Sequence, residues 1–188
     1  MPESTQAEPE GAAPVAGATL GNQAAAVAAV TLVVNGQSHA LRVEAGESLV
    51  DCLRDRLGLT GTHIGCDTAQ CGACTVLLDG EAVKACNLLA WQAEGAEVET
   101  IEGLCSPGQA LHPMQAAFGA QHGLQCGFCT PGMILRAIAM DAEGVPAEPD
   151  AVRAALAGNL CRCTGYEGIV AAIVDGLNAM RSCRKANV

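Results

Sequence analysis

The stretch Gly65 to Cys86, GCDTAQCGACTVLLDGEAVKAC, sets the reading of the chain. Cys66, Cys71 and Cys74 follow C-x4-C-x2-C, and Cys86 arrives after 11 further residues. One continuous loop can then present three thiolates and several backbone N–H groups to a common centre, while a neighbouring strand supplies the fourth ligand. This is a [2Fe-2S] spacing. Gly61, Gly65 and Gly72 suit it, because close backbone approach and unusual dihedrals favour glycine. Structural zinc more often takes paired C-x2-C knuckles than one long loop. Within the same stretch, Asp79-Gly80 stands between two strand-like runs and predicts a hairpin.

Upstream, TLVVNGQSHALRV places two more strand-like runs around Asn35-Gly36, a second hairpin signal. Ser48, followed three residues later by Asp51, reads as a helix start, and Leu49, Val50, Leu53 and Leu57 give that helix an apolar face. A last strand near Glu97 to Gly103 completes a small mixed sheet crossed by one helix. Residues 1–28, rich in Ala, Pro, Gly, Glu and Gln without a steady period, read as a disordered tail. GLCSPG, residues 103–108, reads as a linker.

Beyond Pro107 the pattern turns helical, near residues 110–121, 131–141, 149–157 and 166–181. Pro131 and Pro149 suit first helical turns, and Ile169, Ile173, Leu177 and Met180 form a stripe at helical spacing. The second half is therefore expected to be a four-helix domain. It carries Cys126 and Cys129 as C-x2-C and, after 31 further residues, Cys161 and Cys163 as C-x-C. Each pair precedes a helix, whose N-terminus favours thiolates and an anionic cluster. By spacing alone zinc stays open for this second set. A Rieske centre needs histidine ligands, and no histidine here pairs with a cluster cysteine, so His39, His63, His112 and His122 read as polar or capping residues. Cys52 and Cys105 read as core, and Cys183 as an exposed tail residue.

Composition narrows the partners. Ten Lys and Arg against twenty Asp and Glu give a net charge of -10, unsuited to nucleic acid or an anionic membrane. The most apolar early run, Ala24 to Val34, has 11 residues, too few to span a bilayer. The first basic residue is Arg42, so no charged leader start and no twin arginine precedes it, and the expected compartment is cytoplasmic. Eleven cysteines there point to metal rather than disulfides. No nucleotide-binding glycine pattern, nucleophile elbow or paired carboxylate motif is present. No catalytic residue is expected: two one-electron centres without a substrate site amount to a wire.

The segments GCDTAQCGACTVLLDGEAVKAC, HGLQCGFCTPGM and GNLCRCTGYEGIV together resemble the small iron-sulfur subunit of the xanthine oxidase family of molybdenum hydroxylases, from about Val30 to Arg181. Within it, GCDTAQCGACT and TIEGL look most like aerobic carbon monoxide dehydrogenase. The resemblance implies an α+β chain: a β-grasp, plant-type ferredoxin domain over 29–104 with a cluster on Cys66, Cys71, Cys74 and Cys86, then an all-α four-helix bundle over 107–182 with a cluster on Cys126, Cys129, Cys161 and Cys163. It places Gln125 and Cys163 next to the pterin of a large molybdenum-binding subunit. Electrons would pass through the helical-domain cluster, then the ferredoxin cluster, to FAD on a medium subunit. The implied assembly is a dimer of heterotrimers, reaching the inner face of a membrane only through partners. The implied overall reaction is oxidation of carbon monoxide with water to carbon dioxide, with an N-heterocycle or an aldehyde as the alternative substrate. A stand-alone ferredoxin or a zinc-stabilised adaptor is the contrasting reading.

Overall fold

The computed structural model describes residues 26–105 and 108–186. Most of the predicted tail, and Ser106 and Pro107 of the predicted linker, lie outside the described residues. Strand β1 (Val27–Val34) pairs antiparallel with β2 (Gln37–Glu44). Its first two residues fall inside the stretch expected to be tail. The connecting turn holds Asn35 at φ 50° and Gly36 at φ 75°, the doubly left-handed geometry that Asn-Gly favours. Along β1, Val30, Leu32 and Val34 alternate inward as a half-buried strand requires.

The Ser48 side chain accepts from Asp51 N and caps helix α1 (Leu49–Asp51), which runs on as a π-helical turn over Cys52–Arg56. Leu49, Val50, Cys52 and Leu53 are buried against the sheet. Cys52 is thus core, and burial pushes its thiol up to about 11. Strands β3 (Thr75–Leu78) and β4 (Glu81–Lys84) form the second hairpin, with Asp79 at φ 50° and Gly80 at φ 84°. Strand β5 (Glu97–Glu99) is shorter than predicted. The Asn35 side chain accepts from Thr100 N and donates to the Thr100 hydroxyl, which turns Ile101–Gly103 into a 3-10 segment. The five strands are ordered β2-β1-β5-β3-β4, with β1 and β5 parallel. This is a β-grasp sheet.

The second half holds α2 (Pro113–Ala120), α3 (Thr130–Ala142), α4 (Pro149–Ala155) and α5 (Tyr166–Ala186). α2 begins three residues later than expected because His112 caps it, its Nδ1 accepting from Met114 N at 3.2 Å, and Pro113 fills the first turn. Met114, Phe118, Met133, Met140, Ile169, Ile173 and Leu177 form its core. Asp141 at the end of α3 is buried and paired with Arg181 at 2.9 Å and Arg184 at 2.5 Å. These pairs carry α5 to Ala186, so Cys183 lies exposed on a helix rather than on a tail. Cys105 is half-buried beside the 3-10 turn, outside the core where it was expected.

The two halves share a small third cluster of Leu77 from β3 with Leu135 and Ala139 from α3. Burying each such leucine contributes about 2 kcal/mol. The chain is therefore α+β, a ferredoxin-like sheet domain followed by a helical domain, packed so that β3 lies on α3. No helix among the described residues is long and apolar enough to cross a membrane.

Candidate metal centres

The first loop wraps inward because its backbone turns left-handed at Asp67 (φ 55°), Ala69 (φ 58°) and Gly72 (φ 72°). Only the last of these is a glycine. Of the two reasons expected for glycine here, close approach and unusual dihedrals, Gly61 and Gly65 serve the first alone. A Cβ on Gly65 would lie 2.9 Å from Cys71 Sγ, and one on Gly61 would collide with Ile101 and Glu102. The turned backbone aims N–H groups at sulfur: Thr68 N and Cys71 N donate to Cys66 Sγ at 3.4 and 3.3 Å, and Ala69 N donates to Cys86 Sγ at 3.3 Å. Hydrogen bonds from Thr68 and Cys71 draw the Cys66 thiol down to about 6, while burial pushes Cys74 up to about 11.

The second set is assembled from two distant turns. Cys126 is exposed, and Cys129 is the N-cap residue of α3. Cys161 is buried and Cys163 half-buried in the turn that leads into α5. Cys161 N donates to the Tyr166 hydroxyl at 2.9 Å, and Gly165 N donates to Cys161 Sγ at 3.4 Å. Burial, then the neighbouring Cys161 thiol, pushes Cys129 up to about 12, whereas backbone hydrogen bonding at Phe128 lowers Cys126. Gln125 is exposed, and its Nε2 would lie 3.2 Å from a Cβ on Gly165, beside Cys161. It stands five residues before α3, in the turn that carries Cys126.

All these cysteines are free thiols. Backbone N–H groups, from Thr68, Ala69 and Cys71 in the first set and from Gly165 in the second, are the hydrogen-bond donors to their sulfurs. Among the described residues no three His, Cys, Asp or Glu side chains group closely enough to share one ion. A [2Fe-2S] cluster would take four thiolates, and each of the two sets supplies four. A cavity of about 400 Å³ opens between the sets, lined by Cys66 and Cys71 on one side and Cys126, Cys129 and Cys161 on the other.

Two kinds of residue join the loops that the motifs did not reveal. Leu160 N, adjacent to Cys161, donates to the Cys71 carbonyl at 2.8 Å. Buried Asn159 donates through Nδ2 to Gly72 O at 3.1 Å and accepts from Lys84 Nζ at 3.1 Å. On the outer side His63 stacks on Phe128 with ring centroids 4.7 Å apart, and its Nδ1 lies 2.7 Å from Phe128 O. His63 thus braces the two loops, and His112 caps a helix. A buried asparagine beside C-x-C was the available signal for the seam.

Comparison with known proteins agrees with this geometry. Residues 32–105 match the 2Fe-2S iron-sulfur cluster binding domain and residues 100–174 match the [2Fe-2S] binding domain. The chain is 47% identical over 159 residues to the 6-hydroxypseudooxynicotine dehydrogenase complex subunit beta of Paenarthrobacter nicotinovorans, covering 84% of this chain and 96% of that one. It belongs to the small iron-sulfur subunits of the xanthine oxidase family of molybdenum hydroxylases. This small subunit is also 46% identical to caffeine dehydrogenase subunit gamma of a Pseudomonas species, over 77% of this chain and 87% of that one. The crystal structure of quinoline 2-oxidoreductase from Pseudomonas putida 86 superposes with a TM-score of 0.78 at 46% identity, covering 83% of this chain and 97% of that chain. The small subunit is therefore an electron-transfer chain with two [2Fe-2S] clusters.

Proposed function

We propose that this small subunit carries electrons from a molybdenum-pterin centre on a large subunit to FAD on a medium subunit, within a complex that oxidises an N-heterocycle or an aldehyde. The observation that carries the reading is that cysteines of both sets line one cavity, their loops joined by Leu160 N to Cys71 O and by Asn159 Nδ2 to Gly72 O. In this reading Cys66, Cys71, Cys74 and Cys86 hold one cluster in the unit 29–104. Cys126, Cys129, Cys161 and Cys163 hold the other in the unit 107–182.

When bound, each cluster takes up and gives back one electron. The protein's part is to hold, shield and connect. Backbone N–H groups of Thr68, Ala69, Cys71 and Gly165 point at the ligand sulfurs and stabilise negative charge there. Burial of Cys74 and Cys161 keeps water from the inner side of each site. The Leu160–Cys71 hydrogen bond fixes the approach of the two loops. Gln125 and Cys163, at the outer end of the second site, face the large subunit, and the Gln125 amide orients the pterin edge. The assembly is a dimer of heterotrimers in the cytoplasm.

For the substrate, caffeine and quinoline in the names of two relatives support an N-heterocycle. Carbon monoxide rests on the wording GCDTAQCGACT and TIEGL, which small subunits for several substrates share. The test is purification from the native host, with iron, acid-labile sulfide, molybdenum and FAD assayed and low-temperature EPR of the reduced protein. Two [2Fe-2S] signals with molybdenum and FAD co-purifying are expected. A single signal, zinc at the second site, or a chain stable without partners sinks the reading. Turnover assays with an N-heteroaromatic compound, an aldehyde and carbon monoxide then separate the substrates.

A further inference from the structure

Lys84 has no place in the ligand pattern, yet its ammonium stands at the seam between the two loops. It is the last residue of β4 and is half-buried. Nζ donates to the Gly158 carbonyl at 2.8 Å, to Asn159 Oδ1 at 3.1 Å and to Thr75 Oγ1 at 3.4 Å. All three acceptors are neutral, so they solvate the charge without cancelling it.

The local structure is shaped around this cation. A Cβ on Gly72 would lie 2.5 Å from Nζ and 2.6 Å from both Asn159 Nδ2 and Gly158 O. Glycine at φ 72° therefore lets the ammonium and the amide close over the loop. Asn159, itself buried, spends its Nδ2 on Gly72 O and Thr75 Oγ1, which turns Oδ1 toward the ammonium. Nζ thus closes over Gly72, which lies between Cys71 and Cys74 in the chain, and Lys84 itself stands two residues before Cys86.

A thiolate-held [2Fe-2S] cluster gains one negative charge on reduction, and a fixed cation in a partly dry site favours the more negative state. We propose that Lys84, clasped by Gly158 and Asn159, raises the reduction potential of the cluster held by Cys66, Cys71, Cys74 and Cys86 and so draws electrons from the second site to the first. The electron leaves the reduced second cluster and enters the oxidised first one, with no bond made or broken. The inference rests on the ligand assignment given under the proposed function. Asn159 acts as a positioning residue, through Lys84.

The test uses the intact complex with Lys84→Gln and Lys84→Arg. Iron content and EPR of the wild type come first, since fewer than two clusters there would overturn the ligand assignment itself. Redox titration followed by EPR then gives the midpoint of each cluster. In Lys84→Gln the first cluster's midpoint falls and the second's moves by less, while Lys84→Arg stays near wild type. Unmoved midpoints, or equal shifts at both clusters, overturn the proposal. If Lys84→Gln loses the first cluster while Lys84→Arg keeps it at the wild-type midpoint, the charge is still what the site requires. Loss in both variants overturns the proposal and makes Lys84 a packing residue.

Discussion

The two cysteine sites hold the same number of thiols by opposite means. The first is written into one loop, residues 66–74, whose own N–H groups already point at Cys66 and Cys86. The second joins turns separated by 31 intervening residues, brought together because α3 and α5 bury a common core. A local site can form with its loop, whereas a distant one exists only once helices have packed. Charge divides them too, since the Lys84 ammonium closes over Gly72 of the first loop.

The largest test of this contrast is Cys129→Ser. It should abolish the second cluster and all turnover, halve the iron content and leave the first cluster's EPR signal. Loss of both signals would show that the first loop is not self-sufficient. Next comes Gly132→Ala, at the start of α3, where a Cβ would collide with the Gly72 carbonyl. Overpacking of this kind costs about 2 kcal/mol, which for a chain of this size lowers Tm by roughly 4–8 °C. In thermal melts followed by EPR, the second cluster should be lost before the first; the reverse order would break the comparison.

Gln125→Ala removes an amide at the outer end of the second site and should slow reduction of the clusters by substrate. One lost hydrogen bond of about 1 kcal/mol corresponds to roughly a fivefold change. Stopped-flow reduction with both clusters still loaded measures it, and an unchanged rate removes Gln125 from the path. The smallest effect is a pH dependence in the cluster-free chain. Hydrogen bonds lower the Cys66 thiol to about 6, below its unfolded value, so the folded state favours thiolate. Stability from this source is present above the unfolded pKa and is lost as pH falls through about 6. Alkylation of Cys66 should accordingly rise as pH passes upward through 6, while Cys74, raised to about 11, stays unreactive over the same range. Equal reactivity of the two thiols would remove the asymmetry within the first loop.

Much of the fold was legible because its signals are local. Asn35-Gly36 and Asp79-Gly80 fixed both hairpins, since few other dipeptides tolerate two left-handed residues in a row. Pro131, Pro149 and the stripe from Ile169 to Met180 marked helices by the same short-range logic. Glu97 to Gly103 reads as strand throughout, yet it ends at Glu99 because Asn35, 65 residues from Thr100, takes its hydrogen bonds. Likewise Asp67 and Ala69, not Gly61 and Gly65, carry the left-handed turns of the first loop. The surrounding sulfur-directed hydrogen bonds offset a strain of about 1 kcal/mol or more at each.

The sequence by itself determined the chemistry: which cysteines could act together, the order of sheet before helices, and an electron-transfer role. Those depend on spacing and period, which the chain carries along its length. Only the tertiary structure decided which backbone N–H groups meet the sulfurs, which carbonyl meets Leu160, and that Lys84 and Asn159 occupy the seam between the two sites. Contacts such as Lys84 with Gly158 join residues 74 apart, and no local propensity encodes them. They follow from β3 packing on α3, a consequence of burying Leu77 against Leu135 and Ala139.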